Sequence, residues 1–419
     1  MKKSFMHCAD IHLGRQQFNS EQRWLDFGIS LKYIIDTSIE KKVDYILLSG
    51  DFFHERTINA KTLSLSNQLL SKAKEANIEV IAIEGNHDKA PYKDGQSWLE
   101  YLEKIGLIKL LTLSYDEDGA PLMLPYENGA GNVLIHDGFR IIGLGYLGAT
   151  TPKRIAQIKD AIEHFDGYTV VMLHAAVDTL LGQSLGGFKG EALKEFEYVD
   201  YFALGHIHSR YEGENWYNPG APEYVHLDEA KGKNGISPEK GFYHVVVDAS
   251  NAEINYIESK KRRVIYKEIN VSHCSTPTEV KEYALAEIGV YKDTEAILYA
   301  RLVGNAPFSP IEIDMYNIEE ELTIEPMFFY CELINMCSLK GAKSEQLNVE
   351  LDKDEIERIV YRAILDEKYP QNALKEGIED LIVSIKAGVL SGEEPEQIAK
   401  VIDDYALRAD VEELLNENK

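Results

Sequence analysis

The sequence predicts an α/β fold organised on a mainly parallel sheet, and three observations lead there. Apolar runs at residues 4–10, 43–48 and 78–83 have the length of buried strands. Residues 24–40 and 60–76, which lie between those runs, carry apolar side chains at helical spacing. Each run ends in polar residues with chemistry to offer, namely Asp10-Ile11-His12-Leu13-Gly14, Gly50-Asp51-Phe52-Phe53-His54 and Gly85-Asn86-His87-Asp88. In a parallel sheet such groups gather beyond the carboxyl ends of the strands, so the three clusters fall on one edge.

The remainder of the chain extends the pattern. A helix is expected near 96–105, and residues 131–147 read as a hairpin with Asp137-Gly138 at its turn. A helix near 152–164 leads into a run that ends in His174, and the run 199–204 ends in Gly205-His206-Ile207-His208. The glycine-rich stretch 182–190 reads as a loop over the site and matches no phosphate-loop spacing. Residues 242–247 and 263–266 read as strands completing the sheet layers, with Lys260-Lys261-Arg262-Arg263 as a solvated hairpin tip between them and direct phosphate contact as the alternative for that run. From about 275 the texture becomes that of a small mixed module, with one helix and strand-like runs at 296–303 and 327–333. Segments near 353–366, 373–389 and 395–416 then show helical periodicity.

At 419 residues the chain exceeds one ordinary domain, and its 44% hydrophobic and 27% charged content is that of a soluble globular protein. No run approaches the ~18 apolar residues of a membrane span. The first ten residues read as a first strand in a cytoplasmic protein rather than as a leader. Cys8, Cys274, Cys331 and Cys337 include no Cys-x-x-Cys pair, so neither a disulfide framework nor a zinc site is indicated. A formal charge of -26 argues against nucleic acid as a partner. Its distribution weakens that objection, because residues 271–419 hold about 32 acidic against about 14 basic side chains and the rest of the chain is only mildly acidic. Bound cations bring charge of their own, so an anionic substrate stays compatible with the first 270 residues.

Seven residues at five strand ends make a candidate ligand set: Asp10, His12, Asp51, Asn86, His174, His206 and His208. Carboxylate, imidazole and amide oxygen together suit first-row divalent ions such as Mn²⁺, with iron or zinc open by ligand type. Residues i and i+2 of a strand face one way, so Asp10 with His12 and His206 with His208 can each present two ligands to one place. Seven ligands exceed what one ion with an open position uses, and they suit two ions about 3.5–4 Å apart with a bridging carboxylate, for which Asp51 is the choice. Such a pair can hold a phosphodiester oxygen and activate a shared water for in-line attack. His87 would protonate the leaving oxygen, Asp88 would fix its tautomer, and His54 would position or neutralise the phosphate. His7, His136, His164, His226, His244 and His273 lie outside the pattern and read as structural.

In order and spacing these five motifs resemble the calcineurin-like metallophosphoesterases and, among them, the Mre11/SbcD DNA-repair nucleases. The narrower likeness rests on Leu13-Gly14 after His12, on His54, and on Asn218-Pro219-Gly220-Ala221-Pro222-Glu223 followed by Lys240-Gly241-Phe242-Tyr243. Glu55-Arg56-Thr57-Ile58-Asn59 departs from the proline-serine step frequent there. The resemblance implies a two-sheet α/β sandwich core with two Mn²⁺ ions, a small α+β cap that helps place DNA, and a C-terminal helical segment docking on a Rad50/SbcC-like coiled-coil ATPase. Asp10, His12 and His208 would hold one ion, Asn86, His174 and His206 the other, and Asp51 would bridge them. The expected domains are a nuclease domain at 1–270, a cap at 271–348 and a partner-binding segment at 349–419. The expected function is a Mn²⁺-dependent DNA exonuclease and endonuclease in repair or end processing. A homodimer is compatible with it, and no membrane is involved. The alternative is a phosphodiesterase or phosphatase acting on nucleotides or other small esters.

Overall fold

The computed structural model describes residues 2–90, 95–177, 187–232, 238–248, 251–324 and 326–339, together with 381–382, 385–386 and 399–400. Residues Met1–Lys340 form one compact unit and Gly341–Lys419 a second, which contains the three last pairs. The helices expected within 353–416 fall almost wholly outside the described residues, and the loop expected at 182–190 is described only from 187. No helix among the described residues is long and apolar enough to cross a membrane.

The chain opens with β1 (Lys2–Cys8), α1 (Glu21–Lys41), β2 (Tyr45–Ser49), α2 (Ala60–Glu75) and β3 (Glu79–Ile83). Next come α3 (Trp98–Lys104), the two-residue strands β4 (Lys109–Leu110), β5 (Ser114–Tyr115) and β6 (Pro121–Leu122), and a hairpin of β7 (Val133–His136) and β8 (Phe139–Tyr146). Asp137 and Gly138 both take positive φ at its turn, as the sequence predicts. The chain continues through α4 (Thr151–Ala161), β9 (Tyr168–His174), the single turn α5 (Glu191–Lys194), β10 (Tyr201–Gly205), β11 (Tyr211–Glu212) and β12 (Trp216–Asn218). A second hairpin, β13 (Gly241–Asp248) and β14 (Asn251–Glu258), precedes β15 (Val264–Asn270), α6 (Pro277–Gly289), β16 (Asp293–Ala306), α7 (Met315–Ile324) and β17 (Phe328–Leu339).

Two six-stranded sheets form the core, in the orders β14-β13-β1-β2-β3-β4 and β11-β12-β10-β9-β8-β7. β1, β2, β3 and β4 run parallel, as do β8, β9, β10 and β12. Alternation within each strand explains how the sheets stack. Phe5, Tyr45, Leu47, Ile81 and Ile83 meet Phe139, Ile141, Val170, Met172, Tyr201 and Ala203 between the sheets. Met6, Cys8, Ile46, Leu48, Val80 and Ala82 point the other way, onto Leu31, Ile34 and Ile35 of α1 and Leu69, Leu70 and Ala73 of α2. With both faces covered, these strands read as unbroken apolar runs, and each fully buried Val, Leu, Ile or Phe contributes roughly 1.5–3 kcal/mol. The layered sandwich keeps the carboxyl ends of β1, β2, β3, β9 and β10 together at one edge.

The third sheet, β15-β16-β17, is all parallel and packs α6 and α7 around its own core of Val280, Ala284, Leu298, Ala300, Ile318 and Leu322. This corrects one expectation: the strand at 263–266 belongs to the small module and not to the core layers, so in the fold that module starts at Val264. An apolar strand pattern does not identify its partner, and here β15 pairs with β16.

The basic run at 260–263 is corrected too. It is no free hairpin tip, because the hairpin is β13–β14 and the run links β14 to β15. Arg262 is mostly buried and forks onto Asp26 of α1, with Nε 2.5 Å from Oδ2 and Nη2 2.9 Å from Oδ1. Its backbone N–H donates to Glu223 at 2.8 Å, and its guanidinium lies 4.0 Å from the centre of the Phe329 ring. Arg262 thereby ties the small module to the core. Because a lysine cannot reproduce a two-pronged contact with one carboxylate, Arg262→Lys is expected to cost about 1.5 kcal/mol of stability. Urea unfolding measures this, and an unchanged midpoint would rule out the anchoring role.

Candidate metal centre

Beyond the ends of β1 and β2 the two connecting segments stay hydrogen bonded, Asp10 N–H to Gly50 O at 3.1 Å, His12 to Asp51 at 3.0 Å and Leu13 to Phe52 at 2.9 Å. Asp10, His12 and Asp51 are held there in left-handed backbone conformations, at φ 53°, 48° and 51°, and His206 has φ 93°. Such conformations cost of order 1–3 kcal/mol each for non-glycine residues, and their concentration at one edge marks a site built for its side chains. Gly50 and Gly85 are required by the crowding they permit. A Cβ at Gly50, whose φ is +89°, would stand 2.2 Å from His174 Nδ1, and one at Gly85 would stand 2.1 Å from Asp51 Oδ1.

All seven predicted ligand residues come together. Asp10, His12 and His208 offer atoms close enough to share an ion, as do Asp51, His174 and His206. In the first group His12 Nε2 lies 3.1 Å from His208 Nε2. In the second, Asn86 Oδ1 is 3.1 Å from both His174 Nε2 and His206 Nδ1. Asp51 stands between the groups, its Oδ2 3.3 Å from His174 Nε2 and 3.9 Å from His12 Nε2.

The groups behind this set fix its tautomers. His174 Nδ1–H donates to the carbonyl of Ser49 at 2.8 Å, which turns Nε2 inward. His208 Nδ1 is 2.7 Å from Glu229 Oε1, which likewise leaves Nε2 facing His12. Glu229 also accepts from Lys240 and from the backbone N–H groups of Val225 and His226; burial pushes its carboxyl up, but Lys240 and His208 prevail and hold it down at about 2. Both Asp10 oxygens accept the His206 N–H, at 3.1 and 3.0 Å. Burial raises the Asp10 carboxyl to about 6 and pushes His12 well below its ordinary value, so an uncompensated charge is costly here. Convergent oxygen and imidazole donors without sulfur, braced from behind, fit hard to borderline divalent ions.

Sequence reasoning missed Glu229 and the Ser49 carbonyl. Glu229 lies on a short 3-10 helix (Leu227–Lys231), 21 residues beyond His208 and away from any strand end, and a backbone carbonyl leaves no trace in a sequence. His226, expected to be structural, stacks on His208 with ring centres 5.7 Å apart, so it stands at the site. His7 is buried against Tyr201 Oη and Leu204 O, each at 2.9 Å, and belongs to none of the groups of close ligand atoms among the described residues.

His87, His54 and Asp88 occupy the rim. The His87 ring is 4.9 Å from that of His12, and its Nδ1 lies 2.6 Å from the carbonyl of His54. Asp88 does not touch that ring, contrary to the expectation that it fixes the tautomer. It is buried, and it accepts from the backbone N–H groups of Phe52, Phe53 and Gly85 at 3.2, 3.1 and 2.9 Å. It clasps the second and third motifs together, and burial, reinforced by Asp51, raises its carboxyl to about 7. His54 sits with Nδ1 3.3 Å from His12 Nδ1 and Nε2 2.6 Å from Arg15 Nη1. Burial and the Arg15 charge lower His54 to about 3, so as a neutral ring it does not itself neutralise an anion.

Residues 3–210 match the model of the calcineurin-like phosphoesterase family. Over 412 residues, 90% of this chain and 88% of the relative, the sequence is 26% identical to the DNA double-strand break repair protein Mre11 of Archaeoglobus fulgidus. The protein of the same description from Methanocaldococcus jannaschii is 28% identical over 61% of this chain and 65% of its own length. That from Saccharolobus solfataricus is 25% identical over 54% of this chain and 56% of its own length. The chain belongs to the calcineurin-like metallophosphoesterases of the Mre11/SbcD family and is a metal-dependent phosphodiesterase.

Proposed function

We propose that the protein is a Mn²⁺-dependent DNA exonuclease and endonuclease that acts in double-strand break repair or end processing. The observation that carries this reading is the pair of ligand groups meeting at Asp51, with His87 on their shared rim. Asp10, His12 and His208 would hold one Mn²⁺ ion, Asn86, His174 and His206 the other, and Asp51 both. When bound, the ions supply Lewis-acid activation of water and charge for the phosphodiester. The chain's own residues do the rest. Among the described residues the group facing His87 Nδ1 is an acceptor, the His54 carbonyl, which orients the ring through its N–H and leaves Nε2 as the position from which a proton passes to the leaving oxygen. Asp88 keeps the two motif loops in register, and His54 steers its neighbours as a hydrogen-bonding ring.

The relatives described as DNA double-strand break repair proteins support DNA as the substrate. A partner of the Rad50/SbcC coiled-coil ATPase type is part of the same reading, with the segment at 349–419 as its docking element, the module from Val264 as the DNA-positioning cap, and a homodimer as the working form. Purified protein with Mn²⁺ should degrade linear duplex or single-stranded DNA. Hydrolysis confined to bis-p-nitrophenyl phosphate and cyclic nucleotides would exclude the nuclease.

Glu229→Gln gives a graded test of the bracing behind the ligands. The variant keeps the shape but loses the charge shared by His208 and Lys240, and Mn²⁺ affinity is expected to weaken by about tenfold. Titration calorimetry reads this directly, and wild-type affinity would remove Glu229 from the centre.

A further inference from the structure

We propose that Arg15 is a positioning residue whose guanidinium holds the phosphate flanking the scissile linkage of a DNA strand, an inference that rests on the nuclease reading above. Arg15 directly follows the first motif, and its backbone N–H closes a turn onto His12 O at 3.1 Å. Its Nη1 lies 2.6 Å from His54 Nε2. A guanidinium only donates, so the His54 nitrogen accepts and the ring serves as a neutral post that aims the cation. The Arg15 charge acts on both His54 and His226, which places it on the rim beside the Asp10, His12 and His208 group. His54 turns Nδ1 to His12 and Nε2 to Arg15, so Arg15 stands one imidazole further out than the ligands. That is a place for a neighbouring phosphate rather than the reacting one.

The charge is also uncommitted. Among the described residues Arg15 makes no ion pair, and its Nε is buried without a hydrogen-bond partner. Glu229, the carboxylate that acts on it most, is already saturated by His208, Lys240 and two backbone N–H groups. A half-buried guanidinium without a carboxylate costs stability, and its fork matches a phosphate oxygen pair. Arg56, at the departure from the family's sequence, is a second cation on the rim, exposed and with its Nη2 3.2 Å from Asn86 O. In a chain with a net charge of -26, these two arginines offer a polyanion a foothold beside the ligands.

The test uses the full chain with Mn²⁺ and DNA carrying one uncharged methylphosphonate, placed in turn on either side of the scissile linkage. Wild type should slow by about 10- to 100-fold at one of the two positions, the effect of losing a charge-assisted contact. Arg15→Ala should be slowed to a similar extent on unmodified DNA and be indifferent to the methylphosphonate at that position. Arg15→Lys, which keeps the charge without the fork, should lie between. The loss on DNA should exceed the loss on bis-p-nitrophenyl phosphate, which has no flanking phosphate, by at least about tenfold. If Arg15→Ala keeps wild-type sensitivity at both positions, or loses the small ester to the same degree as DNA, the proposal is overturned. If wild type hydrolyses the ester but no DNA, the nuclease reading fails first and this inference falls with it.

Discussion

His87→Ala is expected to lower DNA cleavage by roughly 10²- to 10⁴-fold, the usual contribution of a positioned proton donor. Metal binding should survive, because the two ligand groups are complete without His87. The three rings of His12, His54 and His87 do lie close enough together to suggest a site of their own. That trio is a poor seat for a cation, since Arg15 occupies His54 Nε2, a carbonyl occupies His87 Nδ1, and no carboxylate is included. The leaving group separates proton donation from damage to the metal centre. A sugar oxygen needs a proton as it departs, whereas p-nitrophenolate leaves without one. The variant should therefore lose far more activity on DNA than on bis-p-nitrophenyl phosphate, with Mn²⁺ affinity by calorimetry close to wild type. Equal losses on both substrates would contradict the assigned role, as would robust DNA cleavage.

A sequence displays some parts of such a site and hides others. The convergence of the seven candidate residues was legible because a parallel sheet delivers its strand ends to one edge, and each of them sits at or just beyond such an end. The bracing was not. Ser49 and His54 contribute backbone carbonyls, which any residue type could supply, while Glu229 lies on a five-residue 3-10 helix and Arg15 in a loop, neither marked by any periodicity. Adjacency in sequence suggests a side-chain contact between Asp88 and His87, whereas the fold directs the Asp88 oxygens to three backbone N–H groups. The core sheets were legible through their apolar runs. The partner of β15 and the burial of Arg262 were not, because both depend on contacts with residues distant in sequence, β16 and Asp26.

Mn²⁺ binding should compete with a proton on His174. In the metal-free protein Nδ1 faces the Ser49 carbonyl, while Nε2 faces Asp51 Oδ2 at 3.3 Å and Asn86 Oδ1 at 3.1 Å, all acceptors. Burial works against the charged ring, but the Asp51 carboxylate and its hydrogen bond prevail and raise His174 to about 9. A metal needs the Nε2 lone pair, so the proton must leave. Below that pKa the apparent affinity should rise by about tenfold per pH unit, or ~100-fold between pH 6.5 and 8.5, and level off above about 9. Calorimetry at pH 7.5 in buffers of different ionisation enthalpy should report about one proton released per centre filled. The sign for stability follows from the same shift. A histidine raised above its unfolded value contributes fully below about 6.5, and that contribution disappears as pH climbs through about 9. The metal-free protein should thus lose thermal stability between pH 7 and 9.5. The Mn²⁺-loaded protein should not, because there a cation that does not titrate takes the proton's place beside Asp51. Affinity independent of pH, with no proton released, would show that the His174–Asp51 pair is not the seat of the metal.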